Sequence, residues 1–321
     1  MSTILKKDKN MDHYKKFGVP NNFEESLPTL KTQTKKWETV CYSGTKINNS
    51  AKITFYATPK SNPYGNIILT PGLATNTNID PLMKPLTFWS LTHNYNVITF
   101  DTFLGDFYNQ PSFESAQRNT YPEFISLLCE CIKFIEPYSI KSQSILIGHS
   151  AGAAGLIDAL NNLTTGGQKV NFGSVMLFAP WLTDKWKDNL TDIVYRHCDS
   201  HGMDNPHRIL PIVNIFDIEQ NRKTRYVTIM PEFLNNMIHS DFQPDLMNKW
   251  DTNVTIVVGE KDKKVSIEQT EQRFFDLQKQ PESNRFKFII VPNVKHSFLN
   301  LGSNTPAIIN LIKSQRNKIR N

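Results

Sequence analysis

The chain has 321 residues, of which 39% are hydrophobic, 11% aromatic and 21% charged. At roughly 100–200 residues per domain, this length fits one large domain or two small ones, with enough apolar material for a sizeable core. The 14 glycines and 18 prolines are too few for a disordered or collagen-like chain. No apolar run approaches the ~20 residues that cross a bilayer, so we expect no transmembrane helix.

The charge and the first residues bear on partners and location. Lys and Arg outnumber Asp and Glu by 36 to 30, a net charge of +6 at pH 7. No basic stretch carries interleaved aromatic residues, so we predict no nucleic-acid partner. The excess of lysine near the start leaves transient contact with a membrane surface open. The first residues lack the apolar segment of a secretory signal peptide, which favours a cytoplasmic protein, although export without a signal stays open.

The cysteines and histidines show no metal-binding pattern. The four cysteines have no Cys-x-x-Cys spacing, so we expect reduced thiols. His197 and His201 are four residues apart, but no third ligand and no His-Glu-x-x-His motif accompanies them. We interpret these two histidines as surface or packing residues and predict no metal site.

Taken in chain order, the predicted elements alternate regularly after residue 36. Residues 1–36 are polar and charged, and we interpret them as an N-terminal extension. Short β-branched or alternating apolar runs indicate strands, and apolar residues spaced three and four apart indicate helices. The predicted strands are 37–43, 52–57, 66–70, 96–100, 144–147, 173–178, 254–258 and 285–291. The predicted helices are 81–93, 121–136, 151–163, 267–278 and 305–316.

This alternation predicts an α/β fold with a mostly parallel, eight-stranded sheet and helices on both faces, the first two strands forming an antiparallel pair. Residues 182–250 interrupt the alternation for about 70 residues after the sixth strand, which is longer than an ordinary connection. We interpret 182–250 as a helical cap over the carboxyl edge of the sheet, where ligands of open α/β sheets bind. The core domain then consists of 37–181 and 251–321.

The strongest motif is Gly148-His149-Ser150-Ala151-Gly152, between a predicted strand and a helix rich in small residues. In that context G-x-S-x-G is the sharp turn that carries a nucleophilic serine. The turn strains the serine backbone, and a Cβ at either flanking glycine would clash with its surroundings. The following helix N-terminus offers N–H groups to a developing oxyanion. The alternative is a glycine-rich helix entry in a fold without catalysis.

A serine hydroxyl is a weak nucleophile until a base takes its proton. Of the eight histidines, His296 lies just past the last predicted strand, which places it at the carboxyl edge of the sheet. His149 lies inside the motif and is expected to point away from the reacting side of Ser150. We therefore predict that His296 is the base.

The base in turn needs a carboxylate that fixes its tautomer and stabilises its charged form. Asp262 lies in the short loop after the strand 254–258, at the same edge, and is our prediction for this acid. Glu260 in the same loop and Asp184 after the sixth strand are the rivals.

An oxyanion hole requires two N–H donors. Ala151, the residue after the nucleophile, supplies one, and the loop after the third strand supplies the other. In that loop we choose the N–H of Leu73, because Gly72 lets the backbone approach a substrate closely. For substrate contacts we predict Gly72, Trp181 and Phe216, since an apolar cap suits an acyl chain. The alternative is that the apolar cap residues form the cap's own core.

With these residues the chain resembles the α/β-hydrolases over about residues 37–318, in the order nucleophile, acid, base. It is most similar to serine hydrolases with a helical cap, of the monoacylglycerol lipase/lysophospholipase and serine aminopeptidase types. Those families often have His-Gly in the oxyanion turn, where this chain has Pro71-Gly72. The matching pieces are Gly148–Gly152, the Gly259-x-x-Asp262-x-x-Val265 loop, the His296 loop and the Pro71-Gly72-Leu73 turn.

The resemblance implies hydrolysis of a carboxylic ester through an acyl-enzyme on Ser150, with His296 and Asp262 completing the triad. It implies no metal and no organic cofactor. The implied substrate is a small-molecule or lipid ester, such as a monoacylglycerol or a lysophospholipid. Thioesterase, peptidase or acyltransferase chemistry on the same residues is an alternative, as is a binding protein without activity. The sequence does not predict the oligomeric state.

Overall fold

A computed structural model of the chain describes 31–40, 46–58, 62–72, 77, 80–101, 121–136, 143–170, 172–180, 182, 210–213, 226–229, 243–279, 283–298 and 308–314. Its strands are β1 (Lys31–Val40), β2 (Lys46–Tyr56), β3 (Asn66–Thr70), β4 (Asn96–Asp101), β5 (Ser144–His149), β6 (Ser174–Phe178), β7 (Leu210–Val213), β8 (Tyr226–Ile229), β9 (Asn253–Gly259) and β10 (Phe286–Val291). Its helices are α1 (Met83–Thr92), α2 (Tyr121–Ile135), α3 (Ala151–Thr165), α4 (Pro244–Met247), α5 (Ile267–Gln278) and α6 (308–314), with a 3₁₀ turn at Ser283–Arg285.

Eight of these strands form one sheet in the order β1-β2-β4-β3-β5-β6-β9-β10. The strand β2 runs antiparallel to both of its neighbours, and all pairs from β4 to β10 are parallel. The predicted α/β fold with a mostly parallel, eight-stranded sheet is therefore confirmed.

The strand order creates a crevice at the centre of the sheet. The chain passes from β3 to β4 on one side and then crosses back to β5 on the other side of β3. Ligands of open α/β sheets bind outside the carboxyl ends of the strands at such a reversal. The register pairs Thr70 with Gly148, so the residues that follow β3 and β5 lie side by side at this point.

The core lies between the central strands and the helices that flank them. All residues of β3, β5 and β6 are buried, as expected for strands that are covered on both faces. Small residues let α3 approach α2 closely, because a Cβ on Gly155 would lie 2.4 Å from the Phe124 ring. No helix in the described ranges is long and apolar enough to cross a membrane. Cys129 and Cys131 are buried free thiols, as predicted, whereas Cys41 and Cys198 lie outside the described residues.

The first strand begins earlier than predicted. It starts at Lys31 and pairs with β2 from there, so 31–36 belong to the sheet and not to an extension. The sequence from Lys31 to Lys36 contains only Lys, Thr and Gln, which carries no apolar signal. Such polar, lysine-rich composition suits a strand at the edge of a sheet.

Part of the segment interpreted as a cap belongs to the core. Helix α4 packs against α3 and α5, and Trp250 is fully buried. The Trp250 indole donates a hydrogen bond of 3.1 Å to Oδ1 of Asn161 in α3. The predicted end of the cap at residue 250 is therefore too late. The sequence did not indicate helix α4, because a helix of one turn carries too little periodicity to be recognised.

Elsewhere in 182–250 the structure describes an antiparallel pair. Strand β7 pairs with β8, with Leu210 opposite Ile229 and Val213 opposite Tyr226. We predicted helices for this segment, so this pair is a departure from the prediction. Most of 182–250 lies outside the described residues, and its role as a cap stays a prediction.

Candidate active site

Ser150 lies on a sharp turn between β5 and α3. Its backbone has φ 53° and ψ −120°, a conformation that is costly for a residue with a Cβ. Two backbone hydrogen bonds hold the turn: Ser150 N–H donates to the Phe178 carbonyl at 2.8 Å, and Ala154 N–H donates to the Ser150 carbonyl at 3.0 Å. The strained turn is thus fixed by a neighbouring strand on one side and by a helix on the other.

The glycines around Ser150 have no room for a side chain. A Cβ on Gly148 would lie 2.6 Å from the Cα of Ala153, and one on Gly152 would lie 2.2 Å from the Pro71 carbonyl oxygen. Gly72, after β3, is also close to Ser150, because a Cβ added to Gly72 would lie 3.2 Å from the Ser150 Cβ. The backbone after β3 therefore passes directly beside the serine.

Ser150, His296 and Asp262 form one chain of hydrogen bonds. The Ser150 Oγ lies 2.9 Å from His296 Nε2, and His296 Nδ1 lies 2.9 Å from Asp262 Oδ2. A carboxylate accepts hydrogen bonds, so the partners assign the proton of the neutral imidazole to Nδ1 and leave Nε2 to accept from the serine hydroxyl. All three side chains are buried. The arrangement can transfer a proton from the serine to the imidazole.

Asp262 is held in its ionised form. Its Oδ1 accepts backbone hydrogen bonds from Lys264 at 2.7 Å and Val265 at 3.0 Å, while Oδ2 faces His296. Burial alone would raise the pKa of Asp262, but the His296 ring and the backbone donors outweigh it and hold the pKa below its usual value. An ionised Asp262 can stabilise an imidazolium at His296.

His296 reaches Ser150 from the far edge of the sheet. Its loop follows β10, which is three strands and roughly 14 Å away from β5. The loop rests on the end of β9, where a Cβ on Gly259 would lie 2.3 Å from the Val294 carbonyl oxygen. Farther along, the buried Phe298 packs edge-on against Phe178 at the end of β6, with ring centroids 5.3 Å apart. These contacts carry the loop back across two strands.

Of the two rival acids, Glu260 does not occupy the place of Asp262. Glu260 is exposed, and its Oε2 accepts a hydrogen bond of 2.7 Å from Asn293 N–H. It therefore fastens the loop after β10 to the loop after β9. Asp184, together with His197 and His201, lies outside the described residues.

The predicted oxyanion hole and substrate contacts are described only in part. Ala151 is the first residue of α3, and the first N–H groups of a helix have no acceptor within it. Gly72 lies beside Ser150, as given above. Leu73, Trp181 and Phe216 lie outside the described residues, so their roles stay predictions.

Sequence reasoning missed a second pair of histidine and carboxylate. The His149 Nδ1 lies 3.0 Å from Asp80 Oδ2, and its Nε2 lies 3.0 Å from the His296 carbonyl oxygen. The ring of His149 makes no hydrogen bond to Ser150 among those described. A signal for Asp80 was present, because it lies directly before Pro81 and three residues before helix α1, and Asp is common near the start of a helix.

Solved structures resemble this chain in fold. The α/β hydrolase GrgF from Penicillium sp. sh18 aligns with a TM-score of 0.59 at 13% identity, covering 91% of this chain and 100% of that one. Est1E from Butyrivibrio proteoclasticus aligns with a TM-score of 0.54 at 13% identity, over 87% and 98% of the two chains. DcsB, solved with its substrate analogue, aligns with a TM-score of 0.57 at 16% identity, over 90% and 99%.

No protein-family model and no curated protein sequence matches the chain. At these low identities the solved structures establish the fold alone. The chain therefore has the α/β-hydrolase fold.

Proposed function

We propose that this protein is a serine hydrolase that cleaves carboxylic esters through an acyl-enzyme. The hydrogen-bonded chain from Ser150 through His296 to Asp262 is the observation that supports it. Its place at the reversal of the strand order, where ligands of α/β sheets bind, adds to this support. Several solved structures of the same fold are described as esterases, among them an esterase domain from Rhodothermus marinus and the Pyrococcus furiosus esterase Pf2001.

In the first half of the proposed reaction, the Ser150 Oγ attacks the ester carbonyl carbon while its proton passes to His296 Nε2. The carbonyl oxygen becomes an oxyanion, which accepts hydrogen bonds from the N–H groups of Ala151 and Leu73. Asp262 stabilises the imidazolium at His296. The tetrahedral intermediate then breaks its bond to the alcohol oxygen, and that oxygen takes the proton from His296.

In the second half, water replaces the alcohol. A water molecule gives a proton to His296 Nε2 as its oxygen attacks the acyl carbon. The second tetrahedral intermediate breaks its bond to the Ser150 Oγ, which takes the proton back. The products are one carboxylic acid and one alcohol, and the site returns to its starting state.

For the substrate we propose lipid-like esters, of the monoacylglycerol or lysophospholipid type. The apolar residues between 182 and 250 support this, together with Trp181 before them. In this proposal Trp181 and Phe216 contact the acyl chain, and Gly72 lines the reacting group. Transient contact with a lipid surface then accompanies substrate entry.

A fluorophosphonate probe tests the nucleophile. We expect the wild-type protein to be labelled and Ser150→Ala to remain unlabelled. Ser314→Ala, which changes an exposed serine in α6, is the matched control and keeps the label. Labelling that persists in Ser150→Ala contradicts the assignment, and no labelling of the wild type contradicts the proposed function.

Esters of increasing acyl length test the substrate class. We expect kcat/KM on p-nitrophenyl esters to rise from acetate to the longer acyl chains, with hydrolysis of monoacylglycerols or lysophospholipids as well. A maximum at acetate without any glycerolipid hydrolysis contradicts the lipid proposal and leaves the esterase intact. An added alcohol or thioester identifies acyltransferase or thioesterase chemistry, because both proceed through the same acyl-enzyme.

A further inference from the structure

A second buried pair of histidine and carboxylate lies directly behind the nucleophile. His149 and Asp80 are both completely buried, and they join the strand β5 to the start of helix α1. The Asp80 Oδ1 accepts the backbone N–H groups of Leu82 and Met83, at 2.9 and 3.1 Å. Asp80 Oδ2 faces His149 Nδ1 at 3.0 Å. The proposed reaction uses neither side chain.

The partners of the His149 ring determine its protons. Its Nε2 faces the carbonyl oxygen of His296, which can only accept, so Nε2 carries a proton and donates it. Its Nδ1 faces the Asp80 carboxylate, which accepts two backbone N–H groups through its other oxygen. Two acceptors at the two ring nitrogens favour the imidazolium form, neutralised by Asp80.

The pKa directions agree with this pairing. Burial alone would lower the pKa of His149, but the Asp80 carboxylate outweighs it and raises the pKa above the usual value. Burial alone would raise the pKa of Asp80, but His149 and the backbone donors hold it below the usual value. The more distant Asp262 carboxylate acts on His149 in the same direction as Asp80. The rings of His296 and Phe298 lie against the imidazole, with centroids 5.7 and 5.9 Å away.

The hydrogen bond from His149 spans the two segments whose relative position matters most. His149 directly precedes Ser150, and its acceptor is the main chain of His296 itself. The loop after β10 also rests on the loop after β9, through contacts such as Lys261 N–H to the Val294 carbonyl at 2.8 Å. The bond from His149 is thus a direct link between the turn of the nucleophile and the backbone of the base.

We propose that His149 is a positioning residue, oriented by Asp80, whose Nε2–H fixes the backbone of His296 so that the imidazole stays in reach of Ser150. This inference rests on the proposed function, since His296 is the base there. A misplacement of about 1 Å between reacting groups can lower a rate by about a hundredfold. The pair carries no net charge, so it does not oppose the positive charge that His296 gains during the reaction.

Two substitutions at His149 separate its two hydrogen bonds. The amide of glutamine reaches about as far as Nε2, so His149→Gln keeps a donor for the His296 carbonyl. The amide of asparagine reaches about as far as Nδ1, so His149→Asn keeps only a donor for Asp80. We expect His149→Asn to lower kcat by about 10–100-fold, with KM within about threefold of the wild type. We expect His149→Gln to lose no more than about fivefold.

Controls distinguish positioning from simple loss of stability. His93→Gln changes a histidine whose Nδ1 also faces a backbone carbonyl, that of Trp89, but at the C-terminal end of helix α1. We expect this variant to keep the kcat of the wild type. Titration of Ser150 with the fluorophosphonate counts the sites that remain folded. If His149→Gln fails to fold, the double variant Asp80→Asn with His149→Gln replaces it, because the amide of asparagine avoids an unpaired carboxylate. Equal values of kcat per labelled site for the asparagine and glutamine variants overturn the proposal.

A measurement without substrate keeps this test apart from the proposed function. In ¹⁵N-histidine NMR at about pH 8, where a free histidine is neutral, we expect both His149 nitrogens to carry hydrogen-bonded protons. In Asp80→Asn only Nε2 keeps its proton. If the wild type neither reacts with the fluorophosphonate nor hydrolyses any ester, the proposed function fails, and the NMR signal alone decides on the link. Absence of a hydrogen-bonded Nε2–H on His149 overturns the link in every case.

Discussion

Two histidine–carboxylate pairs lie side by side in this protein, and they are built almost alike. The His296 Nδ1 lies 2.9 Å from Asp262, and the His149 Nδ1 lies 3.0 Å from Asp80. In each pair the second carboxylate oxygen accepts two backbone N–H groups. The pairs differ at Nε2, which faces the hydroxyl of Ser150 in one pair and a carbonyl oxygen in the other.

Because of this difference at Nε2, His296 can take part in a proton transfer, whereas His149 can only support the structure. A hydroxyl can donate its proton to the Nε2 of His296, so that ring can gain a proton during a reaction. A carbonyl can only accept, so the Nε2–H of His149 stays in place and holds a loop. The partner of Nε2, and not the carboxylate at Nδ1, therefore indicates what each histidine does.

The largest effect that we expect is on kcat, and it distinguishes the carboxylate of Asp262 from that of Asp80. The amide of Asp262→Asn donates to His296 Nδ1, which moves the ring proton to Nε2 and leaves no acceptor for Ser150. We expect kcat to fall by about 10³–10⁴-fold. In Asp80→Asn the same change leaves the proton on His149 Nε2, where the link needs it, so we expect a loss of no more than about fivefold. Steady-state kinetics on a p-nitrophenyl ester measures both, and losses of similar size would contradict the distinction.

For the free energy of unfolding, we expect the opposite order: a substitution at Asp80 costs more than one at Asp262. Asp80→Ala removes the partner of a buried imidazolium and the acceptor of the Leu82 and Met83 N–H groups, so we expect the free energy of unfolding to fall by about 3–5 kcal/mol. Asp262→Ala leaves a neutral ring at His296, and we expect a loss of about 1–2 kcal/mol. Urea unfolding measures both values. Asp251→Ala, at an exposed aspartate, is the control and stays within about 0.5 kcal/mol of the wild type. A larger loss in Asp262→Ala than in Asp80→Ala would contradict the buried ion pair.

The smallest effect concerns a buried carboxyl without a histidine. Asp158 accepts a hydrogen bond of 2.6 Å from the Tyr121 hydroxyl, and burial raises its pKa to about 6, against the opposing effect of that bond. The folded state then binds the proton more tightly than the unfolded state, so this group lowers the stability as the pH rises from about 4 to about 6. Asp158→Asn lacks this loss. We expect it to be about 1–2 kcal/mol more stable than the wild type at pH 8 and equal to it near pH 4.

Thermal or urea unfolding at the two pH values measures this difference. Tyr121→Phe is a useful partner variant, since it removes the hydrogen bond and keeps the ring. A stability difference between Asp158→Asn and the wild type that does not change with pH would contradict the assigned cause.

Much of the fold and the core of the candidate site could be predicted because the relevant patterns are local. The motif around Ser150 spans five residues, and Asp262 and His296 each lie in the loop that follows a strand. Parallel strands end at one edge of a sheet, so adjacency to a strand end was enough to bring the three residues together.

The features that sequence reasoning missed depend on distant partners. His149 and Asp80 are 69 residues apart, and their contact follows from the register between β3 and β5 and from the placement of α1. The start of β1 was missed because its first residues are polar and gain their structure only by pairing with β2. Trp250 in the core is hydrogen-bonded to Asn161, which precedes it by 89 residues in the sequence.

The path of the loop after β10 restricts how this protein can vary. Surface loops usually tolerate insertions and deletions at little thermodynamic cost. Here the segment from Val291 to Phe298 is stretched over the ends of two strands, with fixed contacts at Gly259 and Phe178. A single added or deleted residue would shift the imidazole out of register with the serine, so the length of this loop is as tightly constrained as the identity of its histidine.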